Sequence, residues 1–165
     1  YKGQVYLIEA VNILVKEKVY KELKLYIIGG GSLSNSLEDK IRSLNLEENI
    51  FLFGQQPHAD IPVWMNACDL FVLPSLAESF GIVQIEAFAC GKPVVATKNE
   101  GSKEVINSED HGLLCEVGNS KDLAKEIDIA LKKDWDKEKI IEYSKNFRQE
   151  KINEGLVEIY RKMLN

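Results

Sequence analysis

Short apolar runs that alternate with helical patterns constrain this chain more than any other feature. Residues 24–28, 50–53, 69–73, 93–96 and 112–117 are compact apolar runs bounded by Gly29, Gly54, Pro74, Thr97-Lys98 and Gly118. Between them, residues 4–18 carry Leu7, Ala10, Val11, Leu14 and Val15 at helical spacing, and residues 34–46 carry Leu37, Ile41 and Leu44. Residues 61–67 form a short helical stretch, and 82–90 a strongly apolar one stopped by Gly91. Further on, 122–132, 137–144 and 150–164 read as helices. Apolar runs without strict alternation are strands covered on both faces, and helices between them make parallel crossovers. The pattern predicts an α/β fold with a doubly wound parallel sheet.

Bulk properties narrow the function. A chain of 165 residues fits one core, with 144–149 the best place for a joint before a terminal helix. This divides it into a body over 1–146 and a helix over 147–165. The net charge of −5 argues against a nucleic-acid binder or a polybasic membrane module, both of which need clustered Lys and Arg. Cys68, Cys90 and Cys115 form no C-x-x-C pair and read as free thiols in a reducing, cytoplasmic compartment. No apolar run approaches the ~18 residues that a membrane-spanning helix needs. The chain opens with Tyr1 and runs almost at once into a helix, whereas a doubly wound unit opens with a strand. Lys2-Gly3 is therefore expected to be the turn after a strand that lies outside this sequence.

Chemistry concentrates between Pro74 and Pro93, where a strand runs into a helix; open α/β sheets bind ligands at such strand ends. The first turn, at Gly81-Ile82-Val83, offers unpaired N–H groups and a positive dipole end, an anion site. Glu78 precedes it, and Glu86 follows about 7–8 Å along the axis. A phosphate at the helix start would thus have a carboxylate on either side. At 100° per residue, Gln84 and Glu86 stand about 200° apart on an otherwise apolar helix. At least one must meet a polar cavity or a buried partner, since an unpaired buried polar group is costly.

Glu78 to Glu86 forms an E-x7-E pattern inside a longer ordered set. The set comprises Lys2-Gly3, Ile28-Gly29-Gly30-Gly31, Phe51-Leu52-Phe53-Gly54 and Asp69-Leu70-Phe71-Val72-Leu73-Pro74-Ser75. It continues through Glu78-Ser79-Phe80-Gly81, the run from Glu86-Ala87 to Val95-Ala96, Gly101-Ser102-Lys103-Glu104-Val105 and Gly112-Leu113-Leu114. In this order the motifs closely resemble the C-terminal domain of the family 4 glycosyltransferases of GT-B architecture, over residues 2 to about 133. The resemblance implies a Rossmann-like half-molecule that binds a nucleotide-diphosphate sugar, a UDP- or GDP-sugar, for transfer with retained configuration. No metal or other cofactor is implied.

Roles follow position by position. Lys2 matches the lysine on the donor diphosphate, and Glu78 the glutamate that orients the transferred sugar. Phe80, Gly81 and Ile82 match the segment whose amides surround the phosphate and sugar, and Glu86 the acceptor of ribose hydroxyls. Gly54-Gln55 matches the turn that receives the base, and Glu104 a loop glutamate near the donor. The family's arginine, a few residues before the Lys-Gly turn, lies outside this sequence, as does the acceptor-binding N-terminal domain. The resemblance implies that this domain is the principal partner, and that any peripheral contact with the inner membrane face runs through it. Polysaccharide or glycolipid synthesis is the family-level expectation.

Other signals are weaker. Gly29-Gly30-Gly31-Ser32-Leu33-Ser34 half-matches a dinucleotide fingerprint but lacks its third glycine and its acidic strand end. Asp134-Trp135-Asp136 looks like a metal motif, yet it follows a helix and reads as a cap for the next one. His58 and His111 read as exposed loop residues, His58 next to the base turn, and Trp64 as a core anchor. The alternatives are a nucleotide-sugar epimerase of the same architecture and a non-catalytic flavodoxin-like binding module.

Overall fold

The computed structural model describes residues 2–17, 20–148, 151 and 153. Helix α1 (Gln4–Glu17) leads to β1 (Leu25–Ile28), α2 (Ser34–Ser43) and β2 (Ile50–Gly54). A 3-10 turn (His58–Asp60), α3 (Ile61–Ala67), β3 (Phe71–Leu73), α4 (Ile82–Ala89) and β4 (Val94–Thr97) follow. The chain continues through α5 (Glu100–Val105), β5 (Gly112–Cys115), α6 (Ser120–Lys132), α7 (Lys137–Ser144) and a 3-10 turn (Lys145–Phe147). All strand pairs are parallel, β1 with β2, and β4 between β3 and β5.

The expected strands all form. Helix α5 stands where the resemblance implies a loop: its pattern is too short for a periodicity to register, and Asn99 supplies the cap by accepting the Ser102 N–H at 2.9 Å. Helix α2 ends before Leu44 because Asn45 takes a left-handed conformation, φ 54°. Asp136 caps α7 by accepting the Lys139 N–H at 3.0 Å, as its position predicted. The expected helix 150–164 falls, apart from 151 and 153, outside the described residues. At the proposed joint, Phe147 packs edge-on to Tyr143 and Phe80, so the chain adheres to the body up to that residue.

Two apolar layers sandwich the sheet. On one side Leu7, Val11 and Leu14 of α1, Ile41 of α2 and Leu123 and Ile127 of α6 pack with Val95 and Leu113. On the other, Met65, Ala87, Phe88 and Ile140 pack with Leu73, Val94 and Ala96. Neighbours on β4 thus face opposite layers, which is why its run is apolar without alternation. His111 belongs here too, and not to an exposed loop: only 8% accessible, it stacks on Tyr143 at 3.7 Å and 9°. Burial holds its imidazole below the usual range. Cys115 is buried, and that burial raises its thiol to about 12.

The sheet has a break that bears on the site. Among the described residues β1 pairs only with β2, and β3 only with β4. Gly3 lies against the end of β3, where a β-carbon would stand 1.9 Å from the Pro74 carbonyl oxygen. The Lys2-Gly3 turn therefore sits level with the end of β3.

Candidate functional site: a cleft at the strand ends

Parallel strands deliver their strand-to-helix loops to the C-terminal edge, and Gly54-Gln55 and Glu78-Ser79-Phe80-Gly81 lie in two such loops. Beyond β3, Pro74 and Ser75 are buried and the chain emerges at Leu76-Ala77. Lys2 Nζ and Glu78 Oε2 meet at 2.9 Å beside an open hollow of about 360 Å³ lined by Lys2, Ala77, Glu78 and Ser79. The Glu78 side chain is only 17% accessible, that of Lys2 44%. A half-exposed ammonium held by a largely enclosed carboxylate is open to an incoming anion.

Three residues separate Glu78 from the start of α4. Gly81 adopts φ 77°, and no side chain caps the helix. The left-handed turn suits glycine for lack of a β-carbon, and here a β-carbon would also stand 2.1 Å from Gln84 Nε2. Ile82 is 66% exposed, so the first turn of α4 is open to solvent. Glu86 is half-buried, with the exposed His58 ring Nε2 at 3.9 Å from its Oε1. Loop and helix thus bring together two residues that the sequence considered separately.

The demand placed on Gln84 and Glu86 is met by Gln84. It is fully buried, its Nε2 donating to the Ser102 hydroxyl at 3.3 Å, while Glu86 stays half-buried beside His58. On the β1–β2 side the Gly29 N–H donates to the Gly54 carbonyl at 2.7 Å, joining the two glycine turns and leaving Gln55 exposed. The Phe80 ring is engaged in packing against Phe147. Glu104 is exposed but lies on α5, not on a loop. A buried chain of Ser75, Thr97, Asn99 and Ser102 beneath the site was not read from sequence; the signal was a glutamine within an apolar helix. Among the described residues no three His, Cys, Asp or Glu side chains converge as a metal would need. No described helix is long and apolar enough to cross a membrane.

Comparison with known proteins agrees with this geometry. The family described as glycosyl transferases group 1 matches residues 1–147. The chain belongs to that family. As a glycosyltransferase domain it is 34% identical, over 110 residues, to N-acetyl-alpha-D-glucosaminyl L-malate synthase of Bacillus anthracis. That match covers 67% of this chain and 28% of the relative. It is also 36% identical to an N-acetylgalactosaminyltransferase of Campylobacter jejuni named for a diphospho-undecaprenol-linked acceptor, over 66% of this chain and 29% of that protein. Among solved structures, Anabaena Alr3699/HepE in complex with UDP superposes with a TM-score of 0.81 at 29% identity, covering 98% of this chain and 46% of that one. The glycosyltransferase domain thus spans less than half the length of these proteins, and its fold is the Rossmann-like half of a GT-B architecture.

Proposed function

We propose that this chain is the donor-binding half of a retaining glycosyltransferase, which moves a sugar from a nucleoside diphosphate to an acceptor hydroxyl. The observation that carries the reading is the Lys2–Glu78 pair at 2.9 Å beside the uncapped start of α4. A cation and a free helix start converge where a diphosphate would lie, with a carboxylate ahead of it and Glu86 behind. Lys2 takes the charge that grows on the leaving phosphate. Gly81 and Ile82 offer main-chain N–H groups to the phosphate and sugar, with Phe80 fixing the turn before them. Once Lys2 turns to the diphosphate, Glu78 is free to accept sugar hydroxyls, and Glu86 receives the ribose. Gly54-Gln55 receives the base, and Glu104 lies on the donor side of α5. Since the lysine and helix start supply positive charge, the reading needs no metal.

In the transfer step the bond from the anomeric carbon to the phosphate oxygen breaks and a bond to the acceptor oxygen forms on the same face. The acceptor proton passes to the departing phosphate, so no protein base is required and Glu78 acts as positioner and charge stabiliser. The UDP and UDP-glucose complexes of the Anabaena relative support a uridine donor over a guanosine one. The lipid-linked acceptor named for the Campylobacter relative supports a glycolipid or polysaccharide precursor as acceptor class. The remaining half of the enzyme would bind that acceptor and carry any peripheral membrane contact at the cytoplasmic face, and residues 147–165 would pack on the body or cross to it.

Calorimetric titration with UDP and GDP tests donor binding. UDP should bind, and Lys2→Ala and Glu86→Ala should each weaken it. A donor screen on the whole polypeptide, scored by product mass, tests the reaction. Transfer to an acceptor supports the reading, an epimerised donor with no transfer product would replace it with the epimerase, and no binding of either nucleotide would end it.

A further inference from the structure

Of the two polar side chains of α4, Gln84 is the one fully withdrawn from solvent. Its Nε2 donates to the Ser102 hydroxyl, also fully buried, at 3.3 Å, while its Oε1 has no partner. The amide lies directly beneath the turn that carries Glu78. A β-carbon on Gly81 would stand 2.1 Å from Nε2 and 3.2 Å from Glu78 Cγ. Ser102 is itself anchored, its N–H donating to Asn99 Oδ1 at 2.9 Å. Asn99 Nδ2 in turn donates to the Ser75 carbonyl at 3.2 Å and to Thr97 Oγ1 at 3.1 Å. The Thr97 hydroxyl donates to the Ser75 carbonyl, and the Gly101 N–H donates to the Glu78 carbonyl at 3.2 Å. Strand β3, strand β4, the cap of α5 and the start of α4 are thus joined by one buried polar chain, with Gln84 as its link to α4.

A buried amide that satisfies only one of its two heteroatoms is unfavourable. Methionine would fill the same length without desolvating an amide, so bulk alone does not account for glutamine here. What the amide adds is direction: it holds α4 to Ser102 at a fixed separation. We infer that Gln84 is a positioning residue for the sugar-handling side of the cleft. It locks the 78–81 turn against the 97–102 loop and so sets where the Glu78 carboxylate and the Gly81 turn stand relative to Lys2. This rests on the donor reading of Glu78 given above.

The test uses the whole polypeptide that carries this chain. Gln84→Met keeps length and volume and removes the hydrogen bond. Because the group acts on transition-state geometry, kcat for transfer should fall about 10- to 100-fold while donor KM changes less than about threefold. Affinity for UDP should stay within about twofold, and the melting temperature should not fall in proportion. Ser102→Ala should reproduce the loss, and the double variant should lose no more than either single one, since both remove one link. Turnover within about twofold of the parent, additive losses in the double variant, or parallel losses of UDP affinity, turnover and melting temperature would each overturn the positioning role. A parent protein that binds no UDP and transfers no sugar would overturn the donor reading instead, and the role of Gln84 with it.

Discussion

On β4 all four residues are buried, whereas β1 and β2 leave Tyr26 and Phe53 close to half exposed, at 47% and 43%. The contrast runs the width of the cleft. The β3–β5 side, which carries Glu78 and Gly81, has helices on both faces and a buried polar chain under its loops. The β1–β2 side, which carries Gly54, Gln55 and His58, is covered on one face by α1 and α2; on the other, Tyr26 and Phe53 meet Trp64 of α3, and Phe51 stacks on Tyr26. Glu78, to which the proposed reading gives the sugar and its developing charge, stands on the more closely packed flank. The flank assigned to the base offers backbone and exposed side chains, where small adjustments disturb little.

Truncating the rigid flank should have the largest effect. Phe88 is fully buried, edge-on to Tyr143 and His111, so Phe88→Ala should cost about 3–5 kcal/mol in chemical denaturation. A loss under ~1 kcal/mol would mean that this side is less tightly packed than its burial implies. Next comes the carboxylate that this flank holds. Glu78→Gln in the whole enzyme should lower turnover on the order of 100-fold with a much smaller change in donor affinity. Near-normal turnover would remove Glu78 from its proposed role.

The open flank should respond more weakly. Phe53 stands 4.7 Å from the Trp64 ring and remains partly exposed, so Phe53→Ala should cost about 1 kcal/mol of stability. A cost matching that of Phe88→Ala would erase the contrast between the flanks.

The smallest effect concerns His111. Its buried imidazole is held below the ordinary 6.5, chiefly by desolvation and further by the Lys139 charge, with Asp110 opposing. The unfolded chain therefore binds the proton first, and the stabilisation is complete above the unfolded pKa and lost as pH falls below it. Thermal melts of the native chain should show stability dropping through this window, and His111→Phe should flatten that part of the profile. An unchanged slope would show that other groups set it.

Much of this was legible from residues alone. The strands are legible because four of the five apolar runs are closed by glycine or proline and the other, 93–96, opens on Pro93. The helix start at Gly81 was found because the same glycine that ends the turn opens the helix. Local signals failed where an element was short or a partner distant. Helix α5 has too few residues for a period, and His111 reads as a loop residue until Tyr143, far along the chain, covers it. Trp64 was expected in the core and instead anchors a half-open aromatic cluster, because the β1–β2 pair is covered on one face.

Periodicity, turn residues and ordered motifs are local properties, and they suffice for the α/β architecture, the family and the residues that follow the strand ends. Which of Gln84 and Glu86 is buried, the meeting of Lys2 with Glu78 and the place of His58 beside Glu86 emerge only in the folded chain. Those outcomes depend on packing between elements distant in the chain, and a helical angle can require a polar partner without naming it.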